Sequence, residues 1–260
     1  MLRVGIIGCG AIGSAIAKAI CSGGAGDAQL TAIYDANPER AEALKRAVRG
    51  KARVAKSFNE LLKGTDLVVE AASQKAVREY GEKVVGSGRS LMVMSVGALL
   101  DDGLRARLVK AAERKKVAIH VPTGAVLAID AVKAAKLGGI TSVRLTTSKP
   151  PAALGMNVKE RKVVFEGSAA VAVKRFPQNI NVAATLSLAG IGKGKTKVRI
   201  IADPALRKNV HEIEVEAKSG RFTARIENLP SPKNPKTSYI AALSAIRLIK
   251  NMGERLRIGT

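Results

Sequence analysis

Tryptophan is absent from this 260-residue chain, and three Tyr and four Phe bring the aromatic share to only 3%. A core must therefore be assembled from Ala, Val, Ile and Leu. An aromatic platform for stacking RNA bases is missing, and no helix-turn-helix precedes the first motif. Cysteine is scarce as well, since Cys9 and Cys21 alone cannot build a disulfide framework. No C-x-x-C pair or Cys/His cluster has metal-ligand spacing, so no metal is expected. No apolar run reaches 18 residues, which argues against a membrane span. The opening stretch MLRVGIIGCGAIG is broken by glycines and reads as a first strand, with no secretory signal. An intracellular, cytoplasmic protein is expected.

Acidic residues are also few. Twenty-one Asp and Glu stand against 44 Lys and Arg, a net charge of +23. Such a field attracts nucleic acid, anionic lipid or small anionic substrates and says nothing about fold. The basic residues are scattered, and no charged block is longer than a tetrapeptide such as Glu113-Arg114-Lys115-Lys116. Scatter of that kind suits a solvated basic surface, with steering of an anionic ligand as the functional alternative.

What the chain does have is 47% hydrophobic and 25% charged residues, the balance of a folded globular protein of one large or two ordinary domains. Residues 2–7 (LRVGII) suit a buried parallel strand. Gly8-Cys9-Gly10-Ala11-Ile12-Gly13 follows, and then a helical run from Ser14 to Ile20. This is G-x-G-x-x-G with a strand before it and a helix after it. Gly8 permits the tight turn, Gly10 lets a pyrophosphate approach, and Gly13 lets the helix pack close. The helix N-terminus then faces the phosphates. A second strand, Leu30–Asp35, ends in an acid placed to accept hydrogen bonds from adenosine ribose; the plainer alternative is that Asp35 caps the next helix.

Alternation continues through strands at 66–72, 90–95 and 116–121, with helices at 74–86 and 101–114. A Rossmann-type, doubly wound parallel sheet is expected. Ala72 and Ser73 end one strand and Ser95 and Gly97 another, so all four should border the nicotinamide half of a cofactor. After Val121 the pattern changes to strand-like segments at 141–147, 163–165, 197–201, 210–216 and 222–226. Helices at 129–137 and 178–190 lie among them, which reads as an α+β domain for substrate and dimerisation. Pro230, Pro232 and Pro235 read as a crossing linker. The final helix, 238–256, carries Ile240, Leu243, Ile246, Ile249 and Met252 as one apolar stripe and should return to the first domain. The expected domains are 1–121 with 237–260, and 122–236.

Two histidines are available for chemistry. His120 sits in the apolar strand VAIHV and reads as a core histidine. His211 follows a turn, near Arg207 and Lys208, whose charge should lower its pKa and keep it neutral as a general base requires. A surface histidine is the alternative. Lys208, Asn209, Lys236 and Thr237 are candidates to hold substrate carboxylates.

The segments GCGAIG at 8–13, SVGAL at 95–99, PTGA at 122–125, PQNINVAA at 177–184, Asp203-Pro204, NVHEI at 209–213 and NPKTS at 234–238 resemble the L-aspartate dehydrogenase family, in order and over nearly the whole chain. The resemblance implies NAD(P)-dependent oxidation of L-aspartate to iminoaspartate, then oxaloacetate and ammonia, with iminoaspartate also leading toward quinolinate. It places the family's active-site histidine on His211 and its cofactor contacts on Ala125 and Asn181. Thr123 departs from the usual Ser of the turn and keeps the hydroxyl. The partner is then a small dicarboxylate amino acid, with no nucleic acid and no membrane, and a homodimer is expected. Asp35 favours NAD, while Arg40 nearby suits the 2′-phosphate of NADP. The rivals are a homoserine dehydrogenase, a dihydrodipicolinate reductase, against which the lack of a His-His pair counts, and a nicotinamide-sensing nucleic-acid-binding protein.

Overall fold

The computed structural model describes residues 1–176, 181–231, 234–256 and 258–259. The chain forms two compact units, Met1–Pro122 with Ala241–Ile258, and Thr123–Ile240 with Gly259–Thr260.

The first unit runs β1 (Leu2–Ile7), α1 (Ala11–Cys21), β2 (Ala28–Tyr34), α2 (Pro38–Ala47), β3 (Arg53–Val54), α3 (Phe58–Leu61), β4 (Leu67–Glu70), α4 (Gln74–Gly86), β5 (Ser90–Val93), α5 (Asp102–Lys115) and β6 (Ile119–His120). All neighbouring strands are parallel, in the order β3-β2-β1-β4-β5-β6. That is the doubly wound order whose reversal beside β1 opens a crevice at the carboxyl ends of the strands. The apolar runs explain the burial: all of β4 is buried, as are Val4, Ile6 and Ile7 of β1.

Two local features depart from the sequence expectations. The strand at 116–121 shrinks to Ile119–His120. Lys116 ends α5 in the left-handed region at φ 54°, and the Val117 N–H returns to the Ala112 carbonyl at 3.1 Å, so the helix stop uses the strand's first residues. The stretch between Asp35 and Asp66, whose sequence carries no clear periodicity, holds α2, β3 and α3. The start of α2 follows local rules, with the Asn37 side chain accepting from the Glu39 N–H and proline in the first turn.

The second unit runs α6 (Ile129–Gly138), β7 (Ile140–Lys149), β8 (Lys162–Ser168), α7 (Ala169–Arg175), α8 (Asn181–Ala189), β9 (Lys197–Ala202), β10 (Asn209–Ala217), β11 (Gly220–Asn228), β12 (Pro230–Ser231) and β13 (Asn234–Ser238). Its main sheet is mixed, in the order β11-β10-β7-β9-β8, with β7 and β9 parallel and the other pairs antiparallel. Strand alternation decides the faces. Val143, Leu145, Val198, Ile200, Ile213 and Val215 pack with Val132, Ala172, Ala183 and Leu186 of the helices. The residues between them, such as Arg144, Arg199, Glu212 and Glu214, are polar.

The proline-rich stretch is not a plain linker, because β12 and β13 pair antiparallel within it. Pro232 and Pro177–Ile180 of the PQNIN segment lie outside the described residues.

The last helix, α9 (Tyr239–Gly253), places Ala245 and Ile249 in the first unit's core with Ile16, Ile20 and Val48. The expected stripe is corrected. Ala242, Ala245 and Ile249 form the buried set, while Leu243 is exposed. A strict spacing of three turns about 300° per step, so it drifts around a helix of 3.6 residues per turn and never forms one face.

Candidate active site

The glycine loop has the geometry that a dinucleotide needs. Gly8 has φ +97°, and a Cβ there would sit 2.6 Å from the Ala71 carbonyl oxygen. A Cβ on Gly13 would collide with the Gly8 carbonyl, so α1 lies against the loop only because that carbon is missing. Gly10 differs: nothing lies within 4 Å of its missing side chain, and no side chain caps the α1 start that it begins. Ala11 and Ile12 form the first turn there. An anion can approach this open backbone at the positive end of the helix.

Beside the loop is a cleft of about 270 Å³ lined by Gly8, Gly10, Tyr34, Asp35, Arg40 and Ser73, among others. The Asp35 carboxylate accepts the Cys9 N–H at 2.7 Å and the Asn37 N–H at 2.9 Å. It therefore ties the end of β2 to the glycine loop. The cap of α2 is Asn37, which removes the capping alternative for Asp35.

Sequence reasoning missed Glu70. Its carboxyl is buried at the end of β4. Oε1 accepts the N–H groups of Ala72 and Ser73, each at 2.9 Å, and the Ser95 hydroxyl at 2.9 Å; Oε2 accepts the Ser95 N–H at 3.1 Å. Burial pushes the Glu70 pKa up, against the pull of these donors. Ala72 and Ser73 line the cleft, but their N–H groups turn inward, and the Ser73 hydroxyl caps α4 by accepting from Ala76. Gly97 is buried in a short 3-10 turn over Val96–Leu100. The one sequence signal for Glu70 was an acid inside the apolar run LVVEAA.

The second unit buries a different group of polar side chains. His211 on β10 is only 3% exposed, which removes the surface alternative. Its Nδ1 lies 3.0 Å from the Thr147 hydroxyl, and the two residues are cross-strand partners. The next inward-facing residue on β7 is Lys149, also buried, and Asn209 is buried on β10. The pKa of His211 is lowered to about 3, first by burial and then by the charge of Lys149. Burial also lowers Lys149 to about 8. The ring is neutral as expected, but the reason is corrected: Arg207 and Lys208 are exposed, and Lys208 faces Glu227 at 3.9 Å. Lys149 was missed because Thr146-Thr147-Ser148-Lys149 looks like the polar end of an ordinary strand.

The other expected residues are scattered. His120 is half-buried at the sheet edge of the first unit, and burial lowers its pKa. Ala125 is buried and its carbonyl accepts from the Asn228 side chain at 3.3 Å. Asn181 opens α8 and is exposed. Lys236 and Thr237 lie on β13, and their side chains fall outside the described residues. Among the described residues no cluster of His, Cys, Asp and Glu could hold a metal, and no helix is long and apolar enough to cross a membrane.

Comparison with known proteins follows the same division. Residues 8–122 match the family described as the homoserine dehydrogenase NAD-binding domain, and residues 130–252 match the aspartate dehydrogenase C-terminal family. The L-aspartate dehydrogenase of Methanosarcina barkeri (strain Fusaro / DSM 804) is 47% identical over 272 residues, covering 100% of both chains. That of Methanothermobacter thermautotrophicus is 46% identical over 260 residues, covering 100% of this chain and 99% of its own. The crystal structure of aspartate dehydrogenase from Thermotoga maritima matches with a TM-score of 0.84 at 29% identity, over 100% of each chain.

Proposed function

The chain belongs to the L-aspartate dehydrogenase family, NAD(P)-dependent oxidoreductases, and from that premise we propose that it oxidises L-aspartate to iminoaspartate, which water converts to oxaloacetate and ammonia. The observation that carries the reading is His211, a buried neutral imidazole in the unit that matches the aspartate dehydrogenase C-terminal family.

In this reading Gly8, Gly10 and Gly13 admit the pyrophosphate, and Asp35 accepts from the ribose hydroxyls. Support comes from the open side of Gly10 and from the cleft that Asp35 lines. Ala72, Ser73, Ser95 and Gly97, with Ala125 and Asn181, serve the nicotinamide half. The hydroxyls of Ser73 and Ser95 are already engaged, so these two residues act by shaping the backbone. When bound, the nicotinamide supplies a two-electron acceptor for the hydride on the substrate Cα.

His211 manages the proton. Water bonds to the carbon of the protonated imine as His211 takes one of its protons, and the ring passes that proton to the nitrogen. The C–N bond then breaks to release ammonia as the remaining hydroxyl proton departs to solvent and the carbonyl forms. An imidazole lowered to about 3 is a weak base by itself. The carboxylates of the substrate reverse this, because anions nearby favour the imidazolium. The ring therefore becomes a useful base only when the substrate is in place.

Mixing the protein with L-aspartate and NAD+ or NADP+ tests the reading, with absorbance of the reduced nicotinamide as the readout. Reduction with L-aspartate is expected. Reduction with L-homoserine alone, or none with either cofactor, overturns the assignment. Delivery of iminoaspartate toward quinolinate, a cytoplasmic location and a homodimer belong to the same proposal. Light scattering on the purified protein checks the homodimer.

A further inference from the structure

The polar face of the second sheet, opposite the side that holds His211, carries a cavity of about 690 Å³. It lies where β7 and β9 begin and β8 ends. Strand alternation gathers charge there. Arg144 on β7 pairs across to Lys197 on β9, and Arg199, two residues on, pairs across to Glu166 on β8. A fourth cation, Lys195, lines the same cavity from the Gly- and Lys-rich loop over 190–196. That loop is pinned. Buried Thr196 donates to the Gly192 carbonyl from its hydroxyl at 2.9 Å and from its N–H at 3.0 Å. The Lys193 carbonyl accepts from the Ala170 N–H at 3.0 Å, and the Thr196 carbonyl from the Ala169 N–H at 2.9 Å. Gly194 lines the cavity with nothing within 4 Å of its missing Cβ, so a ligand can approach the backbone closely.

Four cations and one acid line the cavity, a formal excess of three positive charges. The acid is already taken: Glu166 accepts two hydrogen bonds from Arg199, at 3.0 and 3.1 Å. Arg199 first, then Arg144 and Lys197, hold its carboxyl below the usual range. Glu214 on β10 is the cross-strand partner of Arg144 on this face, and it faces Arg221 at 3.9 Å. Fixed like charges of this kind raise the local concentration of anions. Two guanidinium forks and two ammonium groups suit phosphate oxygens, and no aromatic ring is present to stack a base. We propose that the cavity binds a small anion carrying two or more phosphate groups, held by Arg144, Lys195, Lys197 and Arg199. Its volume falls in the range of about 300–1,000 Å³ usual for ligand pockets. The site does not depend on the aspartate reading, and it is separate from the glycine loop, which belongs to the other unit.

The test is calorimetric titration of the NAD-saturated protein with inorganic pyrophosphate, the NAD being present to fill the glycine loop. Wild-type protein should bind pyrophosphate, and inorganic phosphate about tenfold more weakly. The double variant Lys195→Gln/Lys197→Gln should weaken pyrophosphate about ten- to hundredfold, the scale of one or two charge-assisted hydrogen bonds. Both lysines are exposed, so the fold should survive their loss. Arg144→Gln should weaken it as well and checks the site from a different strand. The control is Lys110→Gln/Lys115→Gln, which removes the same charge from exposed positions on α5 in the other unit and should leave the affinity unchanged. No binding by wild-type protein, unchanged affinity in Lys195→Gln/Lys197→Gln, or an equal loss in the control overturns the site. A single-stranded oligonucleotide that displaces pyrophosphate and binds more tightly through the same two lysines also overturns it, because the cavity would then serve a strand and not a small anion.

Discussion

The two units bury ionisable groups in opposite ways. In the first, Glu70 is surrounded by four donors, three N–H groups and one hydroxyl, so its carboxyl ties the loops after β4 and β5 together. In the second, Lys149 and His211 lie close enough for the lysine to disfavour the imidazolium, and burial is the larger cause for both. The Glu70 cluster is satisfied within the protein, so its role is mechanical. The Lys149–His211 pair instead places two basic groups on the adjoining strands β7 and β10. Burial alone does not mark a functional group; what faces it does.

The largest expected effect tests the functional side of that contrast. His211→Ala should lower kcat for aspartate by about 10²–10⁴, the range for losing a positioned proton-transfer group. NAD affinity should be unchanged, since the glycine loop and Asp35 belong to the other unit. A rise in KM with kcat intact would make His211 a carboxylate holder instead.

Acid unfolding should separate the two groups by sign. Between its ordinary value of 6.5 and about 3, His211 accepts a proton in the unfolded chain and refuses it in the folded one. Stability is therefore lost as pH falls through that window, by about 3 kcal/mol at pH 4. Glu70 works the other way. Its folded pKa is raised above 4.5, so its contribution is full below that value and declines as pH rises through the raised folded pKa. Urea midpoints from pH 7 to pH 4 should fall for wild-type protein and flatten for His211→Gln; equal slopes would dissolve the distinction.

The smallest effect belongs to Glu70→Gln. The amide presents an NH2 where the carboxylate met only donors, which should lower stability by about 1–3 kcal/mol. NAD affinity should fall with it, because Ala72 and Ser73 line the cleft. An unchanged denaturation midpoint would mean that the buried carboxyl is not the tie described.

The cofactor half of the molecule was legible in the sequence because its chemistry is local. Gly8, Gly10, Gly13 and Asp35 are fixed by the turn, the helix start and the strand end within one βαβ unit. Glu70 escaped notice because its donors come from two separate loops, and a lone acid in a strand carries no motif. Lys149 and Thr147 escaped for a related reason. They meet His211 through a strand pairing 64 residues apart in sequence for Thr147 and His211, which no local spacing reveals. Even the correct neutral state of His211 was first traced to the wrong cations, because neighbours in sequence were taken for neighbours in space. In α9 the error was geometric, since a spacing of three imitates a stripe without making one.

The return of α9 to the first unit also orders events on the ribosome. Its Ala245 and Ile249 belong to the same core as Val4 and Ile6, near the other end of the chain. At about 5–20 residues per second, the sheet of the first unit waits roughly 6–24 s after Pro122 is made before this helix is even synthesised. The second unit emerges in that interval. A nascent first unit is thus left with an apolar gap for the whole time, and it is the stage at which a chaperone has most to shield.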